Sequence, residues 1–73
     1  MYSIQGKNYE YYIGVHVGLT DSTVQYRTWL TENVGREYHD WTLKMVNVNF
    51  DGFTLLVFLQ SEEHVALFKL AML

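Results

Sequence analysis

The sequence predicts an α+β domain, with two helices on one face of a mainly antiparallel sheet of three or four strands. Three observations carry this expectation. Residues 9–19 alternate strictly, the period of a half-buried strand. Phe50-Asp51-Gly52-Phe53 sets Asp-Gly between two apolar runs, a strong hairpin signal because a type I′ turn needs φ > 0 at both central residues. Residues 20–33 carry apolar side chains at helical spacing, and Ser61-Glu62-Glu63 opens a second helical stretch.

In the first strand Tyr9, Tyr11, Ile13, Val15, Val17 and Leu19 point one way, and Glu10, Tyr12, Gly14, His16 and Gly18 the other. The first helix is expected from Thr20 to about Asn33. Thr20 or Asp21 would cap it, Leu19 would staple onto Val24, and Tyr26, Trp29, Leu30 and Val34 would form the buried stripe. Gly35 suits the position just past its end. Arg36 to Asp40 is a polar connection. Trp41 to Phe50 and Phe53 to Gln60 are the second and third strands. Ser61 caps the last helix, whose first turn holds Glu62 and Glu63, where negative charge suits the helix dipole. That helix runs to Leu73 with few polar residues, so it is either packed deeply or touches another subunit through Leu67 and Leu70.

The order strand–helix–strand–strand–helix resembles the ferredoxin-like plan, which implies a right-handed crossover with the first and third strands as neighbours, expected here to be parallel. The final strand of that plan is missing. The N-terminal segment is a candidate replacement: Gly6-Lys7 fits a type II′ turn that folds Tyr2 to Gln5 back onto Asn8 to Tyr11. The result would be a four-stranded sheet resembling a circularly permuted ferredoxin-like fold. Without that segment the first strand keeps an open edge, which invites pairing with another chain.

Composition bounds the function. Seventy-three residues make a single domain, 1–73, near the size at which one core is marginal. The chain has no cysteine, which excludes disulfides and Cys-ligated zinc and leaves oligomerisation as the simplest further source of stability. The net charge is −3, and the five basic residues, Lys7, Arg27, Arg36, Lys44 and Lys69, are scattered, which argues against nucleic acid as partner. No apolar run reaches the roughly 18 residues of a membrane span. Residues 1–5 lack the basic start and apolar stretch of a secretory signal, so the expected location is cytoplasmic.

A two-residue Asp51-Gly52 turn would place Phe50 opposite Phe53, Lys44 opposite Leu59, Met45 opposite Phe58 and Leu43 opposite Gln60. Asn47, Asn49, Thr54 and Gln60 then share a face, and buried amides need partners that a helix-covered face rarely supplies. That face is expected to point away from the helices and to carry Leu43, Met45, Leu56 and Phe58, with Tyr12 and His16 from the first strand. These six residues form the candidate interaction surface, an apolar patch with a polar margin. Phe58→Glu is expected to block association through it and leave the monomer folded. The apolar phase shifts between Met45 and Val46, and a β-bulge there would reverse half of the assignment.

No catalytic or cofactor signature is present. His16, His39 and His64 show no metal-ligand spacing, and Ser3, Ser22 and Ser61 lie in no nucleophile-elbow context. His16 beside Tyr12 is the best single polar contact for a ligand.

Two further resemblances stand in the sequence. Tyr12-Ile13-Gly14, Gly18 to Thr23 and the octapeptide Asp51 to Phe58 resemble the first strand, first helix start and aromatic third strand of RNA-recognition motif domains. That likeness implies single-stranded RNA stacked on Tyr12 and Phe53, although Asp51 and Leu55 depart from the pattern and the register turns Phe53 inward. Phe53 to Leu70, with its Phe68-Lys69-Leu70 helix, is similar to the ends of small phage-type accessory proteins of no known activity. The expectation is a small non-enzymatic interaction module without cofactor, a homodimer through the open sheet face or the first strand's edge. A protein partner, an RNA-binding domain and a small ligand-binding domain are the alternatives.

Overall fold

The computed structural model describes residues 2–4 and 6–73. Its elements run β1 (Tyr2–Ile4), β2 (Lys7–Tyr9), β3 (Tyr11–Gly18), α1 (Val24–Asn33), β4 (Trp41–Asn49), β5 (Gly52–Leu59) and α2 (Glu62–Met72). From β3 onward this is the expected strand–helix–strand–strand–helix order. β3, β5 and β4 form a three-stranded sheet in that spatial order, so the first and third long strands are neighbours. They are antiparallel, not parallel as expected. β4 also runs antiparallel to β5, which makes β3 and β4 co-directional on either side of it.

The sheet's inner face is built by alternation. Ile13, Val15 and Val17 of β3 and Leu55, Val57 and Leu59 of β5 are buried together with Trp41, Tyr26, Leu30 and Phe68. Phe68 is the hub between the helices: the Trp29 ring meets it edge-on at 5.6 Å and the Tyr26 ring at 6.2 Å. Burying a phenylalanine there contributes about 1.5–3 kcal/mol from area alone. α2 has the cap expected of it. Ser61 is extended, and its hydroxyl accepts from the His64 N–H at 3.2 Å. Val65, Phe68 and Met72 turn inward, while Leu67 and Leu70 face solvent.

α1 keeps the expected stripe but starts four residues later than Thr20, at Val24. Short polar side chains in Thr20-Asp21-Ser22-Thr23 take the local backbone for themselves, as such residues do outside helix interiors. Asp21 accepts from the Gly18 N–H, and Ser22 accepts from the Val24 N–H, each at 3.1 Å. Leu19 and Val24 both remain exposed, so the staple does not form. At the far end the Val34 and Gly35 N–H groups both donate to the Leu30 carbonyl, and Gly35 has φ 147°.

The N-terminal hairpin departs most from expectation. β1 pairs with β2 with Ile4 opposite Lys7, so Lys7 is a paired strand residue and not the second turn position expected of Gly6-Lys7. Gln5 lies outside the described residues. The two strands make their own sheet and do not extend the larger one, so the sheet has three strands, not four. The chain bends at Glu10, which splits the run expected as a single strand from Tyr9 onward. Among the described residues, no helix is long and apolar enough to cross a membrane.

Candidate functional site

The site is the sheet face away from the helices, and its composition is decided at the β4–β5 hairpin. Asn49 pairs with Gly52, so Phe50 and Asp51 are the central turn residues, and neither has positive φ. Asn49 sets this turn by accepting the Asp51 N–H at 2.9 Å. Gly52 is needed for a different reason than the one its sequence neighbours suggest. Its φ is 132°, and a Cβ would stand 2.0 Å from the Val17 carbonyl oxygen of β3.

Between Val46 and Asn49 β4 carries two residues where β5 carries one. This is a β-bulge, with Asn47 at φ 53°, a conformation that asparagine tolerates better than most residues. The turn moves the β4 pairing by two residues and the bulge by one more, so Leu43 faces Val57 instead of Gln60. An odd slip sends every side chain to the other face. Leu43 and Met45 therefore belong to the helix side, Leu43 packed against the core and Met45 exposed at the sheet margin. Thr42, Lys44 and Val46 take the outer face, across from Phe58, Leu56 and Thr54.

The other four candidate residues stand where the alternation puts them. Tyr12 pairs with Phe58 and His16 with Thr54, and Leu56 lies between, opposite Gly14. They are not a free patch. The N-terminal hairpin folds over this face: the Tyr2 ring stands edge-on to Tyr12 at 5.0 Å and meets Phe58 at 5.8 Å, and Tyr9 meets Phe58 at 6.2 Å. Phe58 is left only 4% exposed, so Phe58→Glu would bury a carboxylate within the protein and not merely block a contact. The Gln60 amide clasps the hairpin down by donating to the carbonyls of Asn8 and His39, at 3.3 and 3.0 Å. Tyr9, expected on the helix side with Ile13, has crossed to this roof and is wholly buried.

Beneath the hairpin two buried hydroxyls, Tyr9 Oη and Thr42 Oγ1, lack hydrogen-bond partners among the described residues. Burial raises the Tyr9 phenol above its ordinary value, and the negative charge of Asp40 adds to the effect. Beyond the roof the face opens into a groove of about 400 Å³. Tyr2, Tyr12 and Phe58 wall it, Leu56 and Val46 floor it, and Asn47 and Thr54 supply its polar atoms. Sequence reasoning found Tyr12, Leu56 and Phe58 of this set. Thr54 and Asn47 are expected on this face too but not counted with the apolar patch, while Tyr2 and Val46 depend on the hairpin placement and the bulge.

The three histidines lie in different parts of the fold, and no metal-holding cluster includes them among the described residues. His16 is on the outer face of β3, His39 in the turn before β4, and His64 in the first turn of α2. Tyr12 and Phe53 are on opposite faces, as the register argument required. The outer edge of β3 has no paired strand among the described residues. No protein-family model, curated protein or solved structure matches this chain.

Proposed function

We propose that this chain is a small non-enzymatic interaction module that associates with a second copy of itself through the outer edge of β3. The observation that carries the reading is the character of that edge. Its eight residues, Tyr11–Gly18, include no charged side chain and no proline, and their pairing with β5 is free of bulges. Edge strands of monomers usually carry such protection against pairing with other chains. The segment that was available to cover the edge, the N-terminal hairpin, lies on the sheet face instead.

A second copy fits because an antiparallel strand edge is its own complement across a two-fold axis, the commonest symmetry of small oligomers. Pairing β3 with its copy joins two three-stranded sheets and leaves the groove face uncovered. The buried sheet-face route to association is set aside, since Met45 is on the other side and Phe58 is already covered.

Sedimentation equilibrium combined with amide hydrogen exchange tests the reading. The expected result is a dimer at tens of micromolar, with outward-pointing β3 amides protected more strongly as concentration rises. A monomer under those conditions, or a dimer whose β3 edge amides exchange freely, overturns it.

A further inference from the structure

The groove on the outer sheet face has a shape and a charge that the dimer reading does not use. The hairpin walls it without filling it. Tyr2 and Tyr12 meet at 83°, so two ring planes at nearly a right angle line one side. Gly14 keeps the sheet bare along the β3 side. A Cβ placed there would meet Thr54 Cγ2 at 3.6 Å and Leu56 Cδ2 at 3.7 Å, ordinary contacts with two residues that line the groove. The bulge holds Asn47 in its positive-φ conformation at the groove margin. Residues held in such conformations cluster at binding sites. Neither the Asn47 amide nor the Thr54 hydroxyl donates to an internal partner among the described residues.

The charge is one-sided. β3, β4 and β5 together carry a single ionised side chain, Lys44, and none of the eight acidic residues of a chain with net charge −3. Lys44 pairs with Leu56 on the groove face, two residues from Val46. His16 pairs with Thr54 from the β3 side. A slot of apolar and aromatic walls with one cation at its side suits a flat ring system that bears an anionic group.

We propose that this groove binds a small planar aromatic anion, its rings lying over Leu56 and Val46 beside Tyr12, and its anionic group turned to Lys44. The volume is within the range of small-molecule sites, about 300–1,000 Å³. Edge pairing through β3 leaves this face open, so the site and the dimer stand or fall separately.

Anilinonaphthalene sulfonate is a suitable probe, with phenylnaphthylamine as its uncharged counterpart, both titrated against the full chain under conditions where urea unfolding is cooperative. The expected result is saturable binding of one sulfonate per chain. Gly14→Val, which adds bulk against the lining residues Thr54 and Leu56 with a residue that strands favour, should weaken binding at least about tenfold. Lys44→Ala should weaken the sulfonate by about two- to fivefold, the worth of one exposed ion pair, and leave the amine unchanged. Phe50→Ser removes an exposed ring outside the groove and should alter neither. Binding that does not saturate, or that Gly14→Val leaves intact, overturns the proposal, and equal loss of both probes in Lys44→Ala overturns its anionic part. Should Gly14→Val fail to fold, amide shifts of the parent chain decide: changes confined to Gly14, Thr54 and Leu56 support the site, and changes centred on Leu19, Phe50 and Leu73 refute it.

Discussion

Tyr9→Phe should make this protein more stable. The Tyr9 ring is fully buried beneath the hairpin, 6.2 Å from Phe58, and its hydroxyl has no partner among the described residues. In the unfolded chain water satisfies that hydroxyl. In the folded chain none of the described residues replaces the lost bonds, at a penalty of about 1–3 kcal/mol for a buried neutral group. The substitution keeps the ring and its contacts and removes only the orphaned atom. Taking the lower end of that range, unfolding free energy should rise by about 1 kcal/mol, or about 4–8 °C in Tm for a domain of this size. Urea and thermal unfolding measure this directly. Thr42→Val, at the other orphaned hydroxyl, should act in the same direction. A loss of about 1 kcal/mol or more in Tyr9→Phe would refute the reasoning, because it would mean that the hydroxyl is satisfied in the folded state.

The same residue predicts an alkaline limb. Because burial, reinforced by Asp40, raises the folded phenol above its ordinary value, the unfolded chain releases its proton first. The associated stability is complete below about pH 10 and declines as pH rises through the folded value; Tyr9→Phe should lack this component in urea midpoints measured across that range. Gly52→Ala should be strongly destabilising, by about 2 kcal/mol or more, since it adds both a positive-φ penalty and a clash with the Val17 carbonyl; a near-normal urea midpoint would contradict the described turn. Gln60→Ala should lower stability by about 1 kcal/mol and speed amide exchange in β2 while leaving β5 protected, because its amide ties Asn8 to His39. Phe50→Ser, at a ring 96% exposed on the turn, should shift stability by no more than about 0.5 kcal/mol.

Much of the fold was legible because it is local. The alternation of β3 and β5, the Tyr26–Leu30 stripe and the Ser61 cap each follow from neighbours within a few residues, and each appears where expected. The register of β4 was legible only in part: the change of apolar phase after Met45 allowed for a bulge nearby, but its place and the turn did not follow, because Asn47, Asn49, Asp51 and Gly52 all favour turns or positive φ, and their order of preference is settled by what they touch. Gly52 is fixed by β3 crossing close to its Cα, a contact distant in sequence. This three-residue slip alone moved Leu43 and Met45 off the candidate surface. The hairpin was legible as a hairpin but not in its placement. Its strands are too short to reveal a buried face, and its position follows from the burial of Tyr9 and the ring contact of the exposed Tyr2 against Phe58.

The bulge in β4 also bears on how far an assembly can grow. A ribbon of chains needs two receptive sheet edges on every member. Here the second edge is interrupted at Asn47–Val48 and carries Lys44, both familiar obstacles to strand addition, while the β3 edge is regular along its whole length. Under the proposed pairing each molecule would therefore have a valency of one. In the edge pairing proposed above, two chains would close on each other through β3, and the outer margins of that pair would present bulged strands that do not readily accept a third, so that pairing predicts freedom from fibres at concentrations that saturate it.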